Sequence, residues 1–286
     1  MTSELDPSCR EEDRAAADAV GSLLAGRVPL GVALSGGVDS SVLLALAART
    51  LGTDQVVALI GVSSSLAAIE RDMAHEVAGI VGVPLVEVVT REDERAEYVR
   101  NGPDRCFHCR DELFSRIDAE VVEARGLTAV AYGENADDAR RSDRPGARAA
   151  TDHAVLRPLR DAGIDKEQVR RLARALALPT ADKPAAPCLA SRIPHFEEVS
   201  PDKLASIERA EAGLRALGFT ELRVRHHGEL ARVELPALDR ARALDPSMRA
   251  RIEHVGRSAG FRRVVLDAEG IRSGAFTLPL VEVAGA

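Results

Sequence analysis

The sequence contains no tryptophan, and aromatic residues make up only 3% of its 286 residues. The core must therefore be packed mainly by Leu, Val, Ile and Ala, which a hydrophobic content of 45% can supply. No apolar run approaches the roughly 20 residues that a membrane-spanning helix needs, so no membrane partner is expected. The first twenty residues are acidic and lack an apolar signal core, which predicts a cytoplasmic protein.

The chain also has no net positive charge, and its cysteines are few. The formal net charge is -7 at pH 7, which argues against a broad nucleic-acid-binding face. Four cysteines, Cys9, Cys106, Cys109 and Cys188, are too few for a disulfide scaffold in a chain of this length. In a cytosolic protein they indicate metal or thiol chemistry instead.

Apolar strand patterns alternate with amphipathic helical patterns in the first part of the chain. The predicted strands are 28–34, 55–63, 84–90, 127–133 and 153–159. A glycine is expected to end the helix before the fourth of these strands, at Gly126. This order predicts an α/β fold with a parallel sheet that helices cover on both faces.

The composition changes near residue 180. The stretch KPAAPCLASRIP is rich in proline and small residues, as a linker or an active-site loop would be. Beyond it, Ser200 is expected to cap a helix, and the order helix, strand, strand, helix, strand follows. We therefore expect two domains, residues 1–180 with the parallel sheet and residues 181–286 as a smaller α+β domain with the cysteine loop.

The loop after the first predicted strand interrupts an apolar stretch with the sequence Ser35-Gly36-Gly37-Val38-Asp39-Ser40-Ser41. Ligands of open parallel sheets bind at the carboxyl ends of the strands. Glycine amides, a helix N-terminus and serine hydroxyls together favour a phosphate group. An acid in such a loop is repulsive unless a cation such as Mg²⁺ bridges it to the phosphate. Since no Gly-Lys-Ser/Thr follows and no lysine lies near the turn, the loop is not a Walker A motif; the alternative is a plain strand-to-helix turn.

SGGVDSS resembles the PP-loop of the ATP pyrophosphatases, which adenylate a substrate and release pyrophosphate. The resemblance implies the PP-loop (adenine nucleotide alpha hydrolase-like) fold. It also implies that ATP phosphates and Mg²⁺ are bound by the loop residues Ser35, Gly36, Gly37, Asp39, Ser40 and Ser41, with Asp39 in a catalytic role.

Two further groups of residues suggest chemistry. Cys106 and Cys109 form a Cys-x-x-Cys pair at a predicted helix start, which suits a zinc or iron–sulfur half-site, a redox dithiol or two small buried residues. Cys188 lies in a loop that offers a structural cysteine little core to fill. Arg223 and Arg225 share one face of a predicted strand, where they are either solvated or a fork for a phosphate.

Seven ordered segments resemble the LarE family, the PP-loop sulfur transferases that help to make the nickel-pincer nucleotide cofactor of lactate racemase. They are SGGVDSS, RCFHCR, GENADD, DRPG, DKPAAPCLASRIP, RVRHHGELARVE and LDAEG. The resemblance implies a small-molecule nucleotide substrate, a pyridinium dicarboxylate mononucleotide, whose carboxylate is adenylated and becomes a thiocarboxylate. Arg223 and Arg225 would hold the substrate phosphate, and a homo-oligomer is expected.

The family has two sources of sulfur. In one form, the cysteine matching Cys188 gives up its own sulfur and becomes dehydroalanine. In the other form, three cysteines hold a [4Fe-4S] cluster, and its open iron carries an added sulfide. We favour a cluster on Cys106, Cys109 and Cys188, with Cys188 catalytic.

The sequence also departs from the family pattern and leaves other functions open. His195-Phe196 stand where the family more commonly has Tyr-Gly, which bears on the shape of the substrate pocket. A PP-loop tRNA thiolase is the rival enzyme, although it would need a basic RNA-binding face. A non-catalytic nucleotide-binding sensor is the rival from another class, and it would leave Cys188 without a role.

Overall fold

A computed structural model describes residues 5–6, 9–140 and 146–271 of the chain. Its strands are β1 (Leu30–Ala33), β2 (Val56–Val62), β3 (Leu85–Val89), β4 (Ala129–Tyr132), β5 (Arg223–His227), β6 (Leu230–Glu234) and β7 (Arg263–Leu266). Its α-helices are α1 (Glu11–Leu24), α2 (Val38–Leu51), α3 (Ala68–Val81), α4 (Ala96–Val99), α5 (Arg105–Ile117), α6 (Glu123–Arg125), α7 (Ala136–Ala139), α8 (Gly146–Asp152), α9 (Pro158–Asp161), α10 (Lys166–Ala175), α11 (Pro201–Ala216), α12 (Ala237–Leu244) and α13 (Pro246–Ser258). No helix within these described ranges combines the length and the apolarity needed to cross a membrane.

The chain forms two compact units. The described residues of Met1–Glu92 and Cys106–Ala186 make the first, and those of Asp93–Arg105 and Pro187–Ala286 make the second. The segment Asp93–Arg105 therefore belongs to the second unit, although its sequence position falls within the first predicted domain.

The first unit is built on a parallel sheet with the strand order β3-β2-β1-β4. Successive residues of a strand point to opposite faces, and both faces are apolar here. Val56 and Ala58 belong to the core that includes α1 and α2, whereas Val57 and Leu59 belong to the core that includes Phe114 of α5. The predicted α/β fold, with helices on both faces of a parallel sheet, is confirmed.

Local signals place several helix ends as predicted. Gly126 follows α6 in the left-handed conformation, with φ of 61°, where glycine has no steric penalty. The hydroxyl of Ser200 accepts a hydrogen bond from the Lys203 amide and caps α11. Asp165 caps α10 in the same way through the Gln168 amide, at 2.8 Å.

The fifth predicted strand, 153–159, is wrong among the described residues. Only Leu156 pairs with the sheet, in a single parallel bridge to Ala131. On one side, Ala154 has a positive φ of 52°, which turns the chain. On the other side, Pro158 begins α9, because proline has no amide to donate to a strand and suits the first turn of a helix.

The second unit contains a mixed sheet with the order β5-β6-β7. β5 and β6 form the predicted antiparallel hairpin, and β7 runs parallel to β6. α11 packs against β5, and α13 packs against β7. Two helices, α12 and α13, occupy the place of the one predicted between the second and third strands of this region.

Candidate active site

The loop 35–41 joins β1 to the first turn of α2 and is folded by its own hydroxyl groups. Ser40 Oγ accepts a hydrogen bond from the Ser35 amide at 3.2 Å and donates to the Gly37 carbonyl at 3.0 Å. Ser41 Oγ donates to the same carbonyl at 2.8 Å and is fully buried. Hydrogen bonds within the loop therefore contribute to its conformation.

Two glycines allow close approaches around this loop. Gly36 has φ of +71°, and a Cβ there would lie 2.7 Å from the carbonyl oxygen of Glu70. The Lys183 ammonium bridges the same two segments, since it donates at 2.8 Å to both the Gly36 carbonyl and the Glu70 carboxylate. A Cβ on Gly133, at the end of β4, would lie 2.7 Å from the Ser40 amide nitrogen. Only glycine lets β4 come so near the loop.

A cavity of about 150 Å³ opens beside the loop, at the carboxyl ends of β1 and β4. It is lined by Ser35, Asp39, Ser40, Arg110, Tyr132, Gly133, Glu134 and Asp138. Of the predicted phosphate-binding residues, Ser35, Asp39 and Ser40 thus reach the cavity. The other three, Gly36, Gly37 and Ser41, shape the loop behind it.

Asp39 is held in this cavity by two partners. Its Oδ2 lies 2.5 Å from Nζ of Lys166, and its Oδ1 accepts from Nδ2 of Asn135 at 2.8 Å. The same Asn135 amide donates to Asp138 at 3.1 Å. The Asp39 carboxylate is therefore already paired with a cation, and a metal ion that bound it would have to replace the Lys166 ammonium.

Sequence reasoning missed two lysines that contact residues of the loop. Lys166 and Lys183 are remote from the loop in the sequence, so a search for a lysine next to the glycines does not find them. The sequence does place Lys166 at the start of a helix, because Asp165 directly before it is a helix cap.

A buried carboxylate lies at the back of the cavity. The hydroxyl of Tyr132 donates to Glu134 at 2.6 Å, and the Arg157 and Arg160 guanidinium groups lie 3.7 and 3.9 Å from the same carboxylate. Burial, and then the hydrogen bond to Glu134, raise the pKa of Tyr132. The phenol therefore stays a hydrogen-bond donor over the physiological pH range.

None of the three predicted cluster cysteines forms a disulfide within the described residues, and they belong to different units. Cys106 and Cys109 lie in the first turn of α5, in the first unit, whereas Cys188 lies in the second unit and precedes a short 3₁₀ helix, Leu189–Arg192. Cys106 and Cys188 are exposed. The donor chemistry fits an iron–sulfur cluster. However, within the described ranges no three His, Cys, Asp or Glu side chains converge as metal ligands.

The Cys188 loop is fixed by a buried arginine. Arg192 donates to the carbonyl oxygens of Pro187 and Cys188, at 2.6 and 3.3 Å. Its Nε and Nη2 contact both oxygens of Glu211, at 2.8 and 3.2 Å. Because this ion pair is bidentate and buried, the backbone on both sides of the Cys188 thiol has one defined position.

The two arginines of β5 are buried rather than solvated. Arg225 is 3% exposed, pairs with Glu234 at 3.0 Å and donates to the Ser191 carbonyl at 2.9 Å. Arg223 is 7% exposed. Burial, and then the charges of Arg225 and Arg192, lower the pKa of Arg223. The neighbouring charges of Arg225 and Arg192, which come second to burial in this shift, would favour an anion beside Arg223.

A buried asparagine organises the rest of the cysteine loop. The Asn101 amide donates to the carbonyl oxygens of Pro194 at 2.7 Å and Glu197 at 2.9 Å. Its side-chain oxygen accepts from Arg105 at 2.6 Å, and Arg105 also donates to the Ala190 carbonyl at 2.9 Å. The residue directly before Cys106 in the sequence therefore binds the backbone two positions after Cys188.

The chain matches both a family model and individual proteins. A family model described as asparagine synthase matches residues 13–139, which include the loop and the cavity. An uncharacterised protein of Synechocystis is 37% identical over 243 residues, covering 85% of this chain and 90% of the relative. An uncharacterised protein of Methanocaldococcus jannaschii is 29% identical over 175 residues, covering 61% of this chain and 67% of the relative.

One similar protein carries a functional name. The pyridinium-3,5-bisthiocarboxylic acid mononucleotide synthase of Lactiplantibacillus plantarum is 34% identical over 245 residues, covering 85% of this chain and 87% of the synthase. The match extends over both units, so it is not confined to a common nucleotide-binding domain. The chain therefore belongs to the LarE family of PP-loop proteins and is an ATP-dependent enzyme.

Proposed function

We propose that the protein is a sulfur transferase that adenylates a carboxylate of a pyridinium dicarboxylate mononucleotide and converts it to a thiocarboxylate. The observation that carries this proposal is the 34% identity with a synthase named for such a product. The cavity beside Ser35, Asp39 and Ser40 supports the ATP-dependent part. Cys188, in a loop fixed on both sides by Arg192, supports the sulfur-dependent part.

Adenylation is assigned to the first unit. The substrate carboxylate attacks the α-phosphorus of ATP, an acyl–phosphate bond forms, and pyrophosphate leaves. The hydroxyls of Ser35 and Ser40 would donate to the phosphates, while Gly36, Gly37 and Ser41 maintain the loop. Asp39 would hold Mg²⁺, which supplies charge neutralisation for the phosphates. Lys166 would then exchange its contact with Asp39 for a phosphate oxygen.

Sulfur transfer is assigned to the second unit, together with Cys106 and Cys109 of the first unit where a cluster is the sulfur source. Arg223 and Arg225 would bind the substrate phosphate, which the charges of Arg225 and Arg192 near Arg223 favour. If Cys188 is the donor, its thiolate attacks the acyl carbon and AMP leaves. Loss of the Cys188 α-proton then breaks the Cβ–S bond, which yields the thiocarboxylate and dehydroalanine.

The preferred sulfur source is a [4Fe-4S] cluster held by Cys106, Cys109 and Cys188. When bound, such a cluster supplies an iron without a protein ligand that can carry an extra sulfide. The test is the iron and acid-labile sulfide content of protein reconstituted without oxygen. About four of each per chain, retained in Cys9→Ala but lost in Cys106→Ala, supports the cluster. Iron-free protein that forms one thiocarboxylate per chain contradicts it and leaves Cys188 as the sacrificed sulfur.

The overall proposal is tested by pyrophosphate release. Mg-ATP is supplied with the pyridinium dicarboxylate mononucleotide or with a nucleotide that lacks the carboxylates. We expect release only with the dicarboxylate, because the carboxylate is the nucleophile. Binding of ATP without any release would instead support the nucleotide sensor, and tRNA-dependent release would support the thiolase.

The partner that this proposal requires is the small-molecule nucleotide. A homo-oligomeric state and a cytoplasmic location stay predictions from the sequence and its resemblance. Light scattering of the purified protein measures the molar mass directly, and a monomeric mass would contradict the first of them.

A further inference from the structure

Arg110 lies at a position for which the sequence suggested no role. It follows Cys109 directly on α5, and its side chain lines the cavity beside the loop. The other charged residues lining that cavity are the carboxylates Asp39, Glu134 and Asp138. Among the lining residues that the structure describes, Arg110 therefore supplies the positive charge.

The side chain of Arg110 is seated in a shaped cradle. Its guanidinium carbon lies 5.1 Å from the ring centroid of Tyr132, a cation–π distance. The hydroxyl of that tyrosine is fixed by Glu134 at 2.6 Å. On another side, a Cβ added to Gly146 would lie 2.9 Å from Cδ and 3.0 Å from Nη1 of Arg110. The Tyr132 ring and the lack of a side chain at Gly146 together leave space for the Arg110 side chain.

The cradle gives a role to the last residue of each of two sequence motifs. RCFHCR ends with Arg110, and DRPG ends with Gly146, the first residue of α8. Residues 143–145 of the second segment lie outside the described residues. A guanidinium can contact two phosphate oxygens at once, and the cavity that it enters also contains Ser35 and Ser40.

We propose that Arg110 binds the pyrophosphate portion of ATP and the pyrophosphate product, and that Gly146 keeps open the space through which it does so. This assignment rests on the proposed function, because it requires that the cavity takes the phosphates of ATP. It adds a ligand from outside the loop, on the same helix that carries Cys106 and Cys109.

The experiment is calorimetric titration with inorganic pyrophosphate and Mg²⁺, and separately with AMP. We expect Arg110→Ala to weaken pyrophosphate binding about tenfold or more, because a hydrogen bond to a charged group is lost. Arg110→Lys should be intermediate, because a lysine cannot contact two oxygens in the same way. AMP binding should not change. Gly146→Ala should weaken pyrophosphate binding while its melting temperature shows that the protein is folded.

The matched control is Arg148→Ala. Arg148 also stacks on an aromatic ring of α5, Phe107 at 4.0 Å, but its side chain is exposed and does not line the cavity. Pyrophosphate binding equal in the wild type, Arg110→Ala and Arg148→Ala would overturn the assignment. A wild-type protein that binds neither Mg-ATP nor pyrophosphate would overturn the proposed function itself, and the assignment with it.

Discussion

The nucleotide loop and the cysteine loop are stabilised over very different distances in the sequence. Ser35, Gly37, Ser40 and Ser41 hydrogen-bond with one another over no more than five residues, so these contacts of the nucleotide loop are local, although Lys183 also binds the Gly36 carbonyl. The cysteine loop depends on Asn101, which binds the Pro194 carbonyl from 93 residues away. A local sequence pattern can specify the first loop, whereas the second requires a folded unit around it.

The largest effect on activity is expected from a substitution in the nucleotide loop. Asp39→Asn should lower ATP-dependent pyrophosphate release about 100-fold or more, because the carboxylate that would hold Mg²⁺ loses its charge. Release rates with saturating Mg-ATP and acceptor measure this loss. Asp161→Asn, which removes an exposed carboxylate paired with Arg160, is the matched control and should release pyrophosphate normally.

Cys188→Ser tests the cysteine loop, as Asp39→Asn tests the nucleotide loop. We expect this variant to form no thiocarboxylate while it still releases pyrophosphate, because Cys188 takes no part in adenylation. Equal loss of pyrophosphate release and of thiocarboxylate formation in this variant would contradict the separation of adenylation from sulfur transfer.

A smaller effect is expected from the residue that organises the cysteine loop. Asn101→Ala should lower the free energy of unfolding by about 2–3 kcal/mol, because buried carbonyl groups lose their donor. Asn101 has φ of 57°, so Asn101→Gly removes the amide without adding backbone strain, and it should be similarly destabilised. Urea unfolding measures both, with Gln55→Ala at an exposed amide as the control. Wild-type stability in the glycine variant would show that the hydrogen bonds contribute little.

Phe196 should show a small effect of the opposite sign. It has φ of 68° and a side chain that is 65% exposed. The left-handed conformation costs a residue with a side chain about 1 kcal/mol, so Phe196→Gly should stabilise the protein by that amount. Phe196→Ala keeps the strain and serves as the control in the same urea measurement. Equal stability of the two variants would mean that the φ angle is not the cause.

The smallest effect concerns pH and lies in the first unit. His153 is 3.0 Å from Asp111 and 2.8 Å from Asp118. Burial lowers its pKa, but the hydrogen bonds to Asp118 and Asp111 outweigh burial and raise it overall. A raised pKa adds stability below the unfolded value of about 6.5, and this stability disappears as the pH rises through the folded pKa.

The melting temperature tests the sign of that effect. His153→Ala should differ from the wild type more at about pH 5.5 than at about pH 8.5. The exposed His254, replaced by alanine, is the control. A larger difference at the higher pH would contradict the direction given for the pKa of His153.

The same contrast of distances explains what the sequence could predict. β1, the loop and α2 are contiguous, so apolar patterning and turn chemistry were sufficient for them. The segment 153–159 was misassigned because its apolar pattern suits a strand, while Ala154 and Pro158 leave only Leu156 to pair with the sheet. For Arg225, alternation predicts a strand face shared with Arg223, but its burial against Glu234 of the neighbouring strand is not visible in a local pattern.

The central claim is ATP-dependent transfer of sulfur to a carboxylate, and mass spectrometry of the small-molecule product tests it most directly. Anaerobically reconstituted protein is incubated with Mg-ATP and the pyridinium dicarboxylate mononucleotide, with Asp39→Asn as the inactive reference. We predict a product in which sulfur replaces a carboxylate oxygen, formed only with ATP and the wild-type protein. Consumption of ATP with the dicarboxylate recovered unchanged, or with no sulfur in any product, would contradict the account.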